Sequence, residues 1–428
     1  MTSVALWLFL VYLTLGMRVN IGRTGDFAGL PVLEVLFVAA AVLAWVGAGR
    51  PWPAVRSGWV ETVGPLFFLL LVYPAAGVLL GTYGVTSLYS WMVVLVPLAV
   101  LALTVTAGAR ILPFCHAAIV IHGAYALGQA LYRLGLLPTS VWGPLQQWDI
   151  ESQRSLSEAY VIVGRSTGLF INANTFAMWG VAALVLSYCY LSGARRHSAA
   201  ALAIVGILAS QSRTGIFCLA VLLLVWAVHA VRDWARLGRI VVGAAVFVLP
   251  GTLLLYAWGL PQRLLEGGLA NRLGSVTDIL TEGIRTDANL MGRVEAWRLA
   301  LDYSPADPRF SFGTLGPPQV QFGGFIDNQF VAFYLQGGLF LVGAYVLALL
   351  SPLVLHLRGG PRVMPLAFVC AVVALGSLTL APMFTVQATC LVWVVAGLTL
   401  LGDTAPSDGT DFVRSRTGHG RSLLALRP

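Results

Sequence analysis

Three charged residues, Arg213, Arg293 and Asp327, have the side chains and the sequence surroundings for chemistry on an anionic group. Arg213 lies in the hexapeptide 210–215, Ser-Gln-Ser-Arg-Thr-Gly, between two apolar segments, so it is predicted to begin a helix near a membrane boundary. Free backbone N–H groups and the positive end of the helix dipole are found at such a place, and a guanidinium suits phosphate. The pattern predicts an anion site. The alternative is an interfacial arginine whose side chain reaches lipid headgroups.

Arg293 lies on a predicted amphipathic helix. Apolar residues recur there with helical spacing: Leu290, Val294, Trp297 and Leu301. Such a stripe packs on the protein or on the membrane. Because Arg293 borders the stripe, it can face inward beneath the surrounding segment. The alternative is a solvated charge close to Glu295 and Arg298.

Asp327 precedes an apolar segment in the sequence Ile-Asp-Asn-Gln-Phe, so its simplest predicted role is the N-cap of a helix. A carboxylate at the mouth of a membrane helix beside two arginines can also act as a general base. Asn172 and Asn174 fall at the apolar start of another segment, where amides require partners. Their alternative role is to join neighbouring helices through hydrogen bonds.

The composition places these residues in a membrane protein. Of 428 residues, 58% are hydrophobic and 10% are charged, whereas soluble domains carry about 25% charged residues. Twelve apolar segments are long enough to be drawn as membrane helices, and a chain in lipid must be helical to satisfy its own backbone. The predicted spans are 3–17, 29–49, 62–82, 85–107, 111–135, 167–191, 198–212, 214–231, 239–258, 328–355, 363–381 and 385–402. The expected fold is therefore all-α and polytopic, with the first apolar segment retained as a span.

The arginines predict the orientation of the chain, which contains no lysine. If the amino terminus is cytoplasmic, the inner loops and the tail carry 14 Arg against five acidic residues, and the outer side carries 12 Arg against 12 acidic residues. This positive-inside pattern predicts that both termini are cytoplasmic and that the long segments 136–166 and 259–325 are periplasmic. It also accounts for the net charge of +8 without nucleic acid as a partner.

Several function classes lack their motifs. The chain has no D-x-D motif, no Cys/His cluster with metal-ligand spacing and no G-x-S-x-G elbow, so no metal or other cofactor is expected. A transporter would place charges along a path through the helices, and only Glu34 is clearly within a span. A structural membrane protein would not require the arginines to converge. If the protein is an enzyme, Arg213, Arg293 and Asp327 are expected to lie together in one outward cavity.

Four segments, taken in order, resemble the bacterial O-antigen ligase and O-antigen polymerase superfamily of inner-membrane glycosyltransferases. They are residues 165–177 (R-x-x-G-x-F-x-N-x-N-x-x-A), 212–215 (S-R-T-G), 292–297 (G-R-x-x-x-W) and 312–338 (F-G-x-x-G, then Asp327-Asn328 and Gly338). The resemblance covers roughly 160–345. It implies a GT-C-like membrane fold. The apolar segments and the charge pattern divide the chain into helices at 1–135, helices with a short periplasmic loop at 136–258, a large periplasmic loop at 259–325, helices at 326–402 and a cytoplasmic tail at 403–428.

The resemblance implies an inverting, metal-independent transfer of an undecaprenyl-diphosphate-linked glycan at the periplasmic face. Arg213 and Arg293 would hold the diphosphate, and Asp327 would deprotonate the acceptor. Further residues in the matching segments would bind substrate: Arg165, Asn172, Asn174, Asn328 and Arg298. The implied partners are the lipid-linked donor, a glycan or lipid A-core acceptor and membrane lipids, with a chain-length regulator left open.

One departure separates the two activities of the superfamily. Ligases usually carry histidine where this chain has Asp327, followed by a G-x-x-G-T-G run, whereas here the run reads Gly-Leu-Phe-Leu-Val-Gly over 338–343. The chain therefore looks more like a polymerase of repeat units, with ligase as the alternative. The sequence leaves open the sugar, the linkage, the oligomeric state and the choice between O-antigen, capsule and exopolysaccharide.

Overall fold

A computed structural model describes residues 1–16, 31–49, 88–152, 165–170, 172–231, 288–302, 328–358, 363–380 and 386–401. In these ranges the chain forms helices and no strand, as the all-α prediction requires. The α-helices are α1 (Thr2–Leu15), α2 (Val32–Gly47), α3 (Leu88–Ala107), α4 (Leu112–Arg133), α5 (Thr139–Ser152), α6 (Ala173–Tyr190), α7 (Gly193–Ser210), α8 (Arg213–Val231), α9 (Ala288–Asp302), α10 (Gln329–Leu357), α11 (Met364–Ser377) and α12 (Val386–Leu401).

Helix α6 lies at the centre of the packing. It contacts α4, α7, α8, α11 and α12, and its side chains are buried almost all the way round, from Phe176 to Ser187. A helix that is apolar on every side is the one that a bundle encloses. Trp179 of α6 and Trp393 of α12 are the largest fully buried side chains in the described part of the chain. The residues that α6 carries at its first turn are therefore held by a rigid core.

Ten of the twelve expected spans fall on α-helices, and the other two, 62–82 and 239–258, lie outside the described residues. Two helical segments, Val94–Arg133 and Gln329–Leu357, are long and apolar enough to cross a membrane. The first is divided at Gly108, whose φ of 57° lies outside helical geometry, and a short 3-10 helix (Gly108–Ile111) separates α3 from α4. The other apolar helices are shorter, and twelve membrane spans remain a prediction.

Gly338 interrupts α10 with φ 62° and ψ −161°, a conformation that a residue with a Cβ rarely adopts. The nine residues before the break include the buried Gln329 and Gln336. The 19 residues after it, 339–357, span about 28 Å at 1.5 Å per residue, which is close to the thickness of a hydrocarbon core. Large apolar side chains are exposed along this second part, including Leu339, Leu347 and Leu357.

The two long non-apolar segments also contain helices. The first contains α5, which contacts α4, and the second contains α9, which contacts α10. The prediction of a helix around Arg293 is confirmed by α9. Its apolar stripe is only partly covered: Trp297 packs against Leu335 of α10, whereas Val294 and Leu301 are exposed. The rest of the predicted 259–325 loop and the 403–428 tail lie outside the described residues.

Candidate anion-binding face

The end of α11 joins three of the segments that the sequence singled out. The guanidinium Nη1 of Arg293 donates to the Thr379 carbonyl over 3.2 Å. The hydroxyls of Thr379 and Thr214 hydrogen-bond at 2.5 Å, and the amide Nδ2 of Asn328 donates to the Leu378 carbonyl over 3.1 Å. A helix end offers such carbonyls because they have no partner within the helix. The residue after Arg213, the residue after Asp327 and Arg293 itself thus meet at one place.

Arg213 begins α8, as predicted from the sequence. The hydroxyl of Ser212, which is fully buried, accepts the Gly215 N–H over 3.2 Å and caps the helix. Gly215 lies so close to Ala177 of α6 that an added Cβ would clash with the Ala177 side chain, so α8 approaches α6 through a glycine. Packing against α6 therefore fixes the first turn of α8, where Arg213 is located.

Gln211 joins α7 to this turn in a left-handed conformation, with φ 51° and ψ 30°. Among the described residues it is the only one other than glycine with a positive φ. A side chain in this region costs about 1 kcal/mol or more relative to glycine. The short link lets α7 end and α8 begin on the same side of the bundle.

Arg165 is buried beside the same link. Its Nε donates to the Ser210 carbonyl over 2.9 Å, and its Nη2 donates to Oδ1 of Asn174 over 2.5 Å. The neighbouring Ser166 N–H donates to the Ala209 carbonyl over 3.0 Å. A carbonyl at the carboxyl end of α7 therefore accepts from Arg165, just as a carbonyl at the end of α11 accepts from Arg293.

Arg133 also belongs to this end of the bundle, and the sequence analysis did not single it out. It lies in the last turn of α4, and its Nη2 donates to the Ser166 hydroxyl over 2.8 Å. The available signal was its position: an arginine at an end of a span that the orientation rule places outside. We call Arg133, Arg165, Arg213 and Arg293 the arginine face, since hydrogen bonds link the segments that carry them at one end of the bundle.

The hydrogen bonds given above for the arginines end on carbonyl, hydroxyl and amide oxygens. Neutral acceptors orient a guanidinium without neutralising its charge, unlike a carboxylate. Helix carboxyl ends add the negative end of their dipoles, which favours cations. The arrangement places these guanidinium groups at fixed positions at one end of the bundle.

Asn172 and Asn174 have defined structural roles. The sixth span was predicted to start at 167, but α6 starts at Ala173 because the chain turns at Gly168 (φ 57°) and Asn172 caps the helix. Oδ1 of Asn172 accepts the N–H groups of Asn174 and Thr175. Asn174 orients Arg165. The two amides therefore position the arginine face, and direct binding of substrate by them remains a prediction.

The N-cap of α10 is Asn328, not Asp327 as the sequence predicted. Its Oδ1 accepts the N–H groups of Phe330 and Val331 at 2.9 and 3.1 Å, and its Nδ2 bonds to the end of α11. These bonds give Asn328 a positioning role, and its predicted contact with substrate stays a prediction. Asp327 itself lies outside the described residues. Arg298 lies exposed on α9, and its predicted contact with substrate stays a prediction.

Gln129 and Asp149 form a further link that the sequence analysis missed. Gln129 of α4 accepts the N–H groups of Thr167 and Gly168 and donates to the Asp149 carboxylate of α5 over 3.0 Å. Asp149 is 3% exposed. This link ties α5 to the turn that follows Arg165.

In the described ranges no group of three or more His, Cys, Asp or Glu residues could hold a metal ion. No family model, no curated protein and no solved structure matches the chain.

Proposed function

We propose that the protein is an inner-membrane glycosyltransferase that transfers a glycan from a polyprenyl diphosphate to a sugar acceptor at the periplasmic face. The observation that carries the proposal is the meeting of Arg293, Thr214 and Asn328 at the end of α11. These residues belong to three motifs that are far apart in the sequence. An enzyme requires such convergence, whereas a structural membrane protein does not.

The chemistry follows from the charges. The acceptor hydroxyl oxygen attacks the anomeric carbon, the bond from that carbon to the diphosphate breaks, and the acceptor proton passes to Asp327. Negative charge grows on the leaving diphosphate, and fixed guanidinium groups stabilise it more in the transition state than in the ground state. Attack from the face opposite the leaving group inverts the anomeric centre, so Asp327 must lie across the sugar from Arg213 and Arg293.

The proposal places the chain in the membrane with both termini in the cytoplasm and about twelve spans in a GT-C-like arrangement. Exposed apolar side chains along α10 support it, because contiguous exposed apolar surface is uncommon on soluble proteins. A proton-coupled or polysaccharide transporter is the candidate of another class. Glu34, buried in α2 without a hydrogen-bond partner among the described residues, is a single carboxylate rather than the series that such a pathway uses.

Deletion of the coding gene, followed by electrophoresis of surface and lipid-linked glycans, tests the proposal. We expect single repeat units on the acceptor, which is the pattern of a lost polymerase. Polymer stranded on the lipid carrier would assign the ligase alternative. Accumulation of lipid-linked units on the cytoplasmic side would assign a transporter, and unchanged glycans would overturn the proposal.

A further inference from the structure

Helix α5 carries its apolar residues on the outer side and polar residues on the side toward the protein. Val141, Leu145 and Trp148 recur with helical spacing and are 60%, 40% and 37% exposed, and we call them the α5 stripe. The side toward α4 carries the buried Asp149 and the half-buried Gln146. A helix on the surface of a soluble protein turns its apolar side to the core instead. An outward apolar stripe is typical of a helix that contacts lipid.

A polar strip runs along α5 beside the stripe. Ser140, Gln147 and Glu151 are exposed, and Nε2 of Gln147 donates to Oε1 of Glu151 over 3.0 Å. With 3.6 residues per turn, these three positions lie within about 40° of one another and about 100° from Val141. The outer surface of α5 is therefore divided into an apolar half and a polar half. A helix that lies along a membrane surface has this division, since one half meets acyl chains and the other meets headgroups and water.

The place where α5 packs on α4 lies inside a helical segment that is long and apolar enough to cross a membrane. Trp142 lies so close to Gly128 that an added Cβ would clash with the indole ring, and the Tyr125 hydroxyl donates to a carbonyl of α5 over 3.4 Å. Gly128 and Tyr125 precede Arg133, the last residue of α4, by about 8 and 12 Å along the axis. Ile121, on the same side of α4 one turn further in, is 40% exposed. The outward side of α5 thus continues the apolar surface of α4.

We infer that α5 lies along the membrane surface, with the α5 stripe in contact with lipid acyl chains. The inference goes beyond glycan transfer and rests on the membrane location that is part of the proposed function. On its inward side, α5 bonds through Asp149 to Gln129, which also holds the turn that follows Arg165. The lipid contact therefore anchors the helix that supports one member of the arginine face.

Fluorescent labels at two positions of the same helix test the inference. Val141→Cys lies on the apolar half and Gln147→Cys on the polar half, and Leu347→Cys, on the exposed apolar side of α10, is the reference for lipid contact. Each full-length variant is labelled with NBD maleimide and reconstituted into phosphatidylcholine vesicles. Quenching by phosphatidylcholine with a doxyl group on its acyl chain reports contact with lipid, and quenching by iodide reports contact with water. The native cysteines are buried or half-buried, so the unsubstituted protein gives the labelling background.

We expect quenching by doxyl lipid to be about threefold or more stronger at Val141 than at Gln147, with the reverse order for iodide, because the apolar side of such a helix lies about 5–10 Å deep. Strong iodide quenching at Val141 would place the stripe in water and overturn the inference. Weak quenching by both agents, together with a disulfide-linked dimer of unlabelled Val141→Cys, would assign the stripe to a second copy of the chain and also overturn it. Lipid quenching at Leu347 would confine either failure to α5. Iodide quenching without lipid quenching at Leu347 would refute the membrane location, and with it the proposed function.

Discussion

At the scale of single residues, hydrogen bonds to carbonyl and amide oxygens orient two of the arginines. Arg293 bonds to the Thr379 carbonyl, and Arg165 bonds to the Ser210 carbonyl and the Asn174 amide. A guanidinium has five N–H donors in a fixed plane, so these bonds fix its orientation. A fixed, planar set of N–H donors is what the proposed contact with a diphosphate requires.

Replacement of Arg213 or Arg293 by alanine should lower transfer by about 10²–10³-fold while the protein still inserts, because each removes a fixed donor to the leaving group. Lysine should restore only part of the activity, since a point charge cannot copy bidentate contact. Transfer is measured in membranes with equal protein levels. Arg196→Ala is the matched control, because Arg196 also bonds to a carbonyl, that of Leu191, but between α6 and α7 at their other ends. Full activity in both alanine variants would refute the diphosphate clamp.

Replacement of Asp327 by asparagine should reduce transfer by about 10²-fold or more, because an amide cannot accept the acceptor proton. The stability of the protein should not change, since Asn328 is the residue that caps α10. Asp327→His should recover some activity, because imidazole can act as a base. Transfer and thermal unfolding are measured together.

The neighbouring Asn328→Ala serves as the contrast to Asp327→Asn. It should lower the free energy of unfolding by about 1 kcal/mol through loss of the cap. An Asp327→Asn protein with native activity would show that another group, or water, takes the proton.

At the scale of helices, three members of the arginine face lie at helix ends: Arg133 ends α4, Arg165 precedes α6 and Arg213 begins α8, whereas Arg293 lies within α9. The ends of α7, α10 and α11 supply groups that bond to these segments. Helix α6 packs against α4, α7, α8 and α11 through its buried sides. Helix ends suit this purpose because their unpaired carbonyl and N–H groups bind side chains. The end of α11 is central, since it bonds to residues next to Arg213 and Asp327 and to Arg293 itself.

The bond between the Thr214 and Thr379 hydroxyls tests this arrangement by a double-mutant cycle. Thr214→Val and Thr379→Val should each lower the free energy of unfolding by about 1 kcal/mol, because each takes a partner from a half-buried hydroxyl. The double variant should lose less than the two single losses together, with a coupling of at least about 0.5 kcal/mol. Unfolding is measured with denaturant in detergent.

Transfer should fall in both single threonine variants, since the bond anchors α8 beside α11. Thr104→Val is the control, because the Thr104 hydroxyl bonds to Val100 within its own helix. Losses that add without coupling would show that the two hydroxyls do not hold the helices together.

At the scale of the whole molecule, two groups of arginines lie at opposite ends of the helical bundle. The arginine face lies at one end of the bundle. Arg195 and Arg196 lie at the other end, close to the bond between His116 and Ser198. Of these two groups, only Arg195 and Arg196 face the cytoplasm in the proposed orientation, where the positive-inside rule places arginines.

A reporter that is active only in the periplasm should be active when fused near residue 150 or 275 and silent when fused near 235 or at the carboxyl end. The reason is the excess of arginine in the loops assigned to the cytoplasm, 14 Arg against five acidic residues. Fusion proteins are compared at equal expression. The reverse pattern would place the arginine face in the cytoplasm, where periplasmic transfer is impossible.

Local pattern in the sequence was enough to predict the helices and several helix boundaries. Apolar length and composition predicted ten helices that the structure describes, the amphipathic spacing predicted α9, and the turn at 210–215 predicted that Arg213 begins α8. These features depend on neighbours within a few residues, because helix periodicity and capping are local. The charge balance can also be obtained from the sequence alone, since it needs only a count of charged residues along the chain.

Only the tertiary structure showed that Thr379 and Arg133 belong to the candidate site and that Asn328 caps α10. Thr379 bonds to Thr214 and Arg293, which lie 165 and 86 positions away, and Asn328 bonds to Leu378, 50 positions away. Such bonds produce no periodic pattern in the sequence, because any polar residue at a helix end could form them. They depend on which helix ends meet, and that is decided by the packing of α8 and α11 on the central α6 and of α10 on α11.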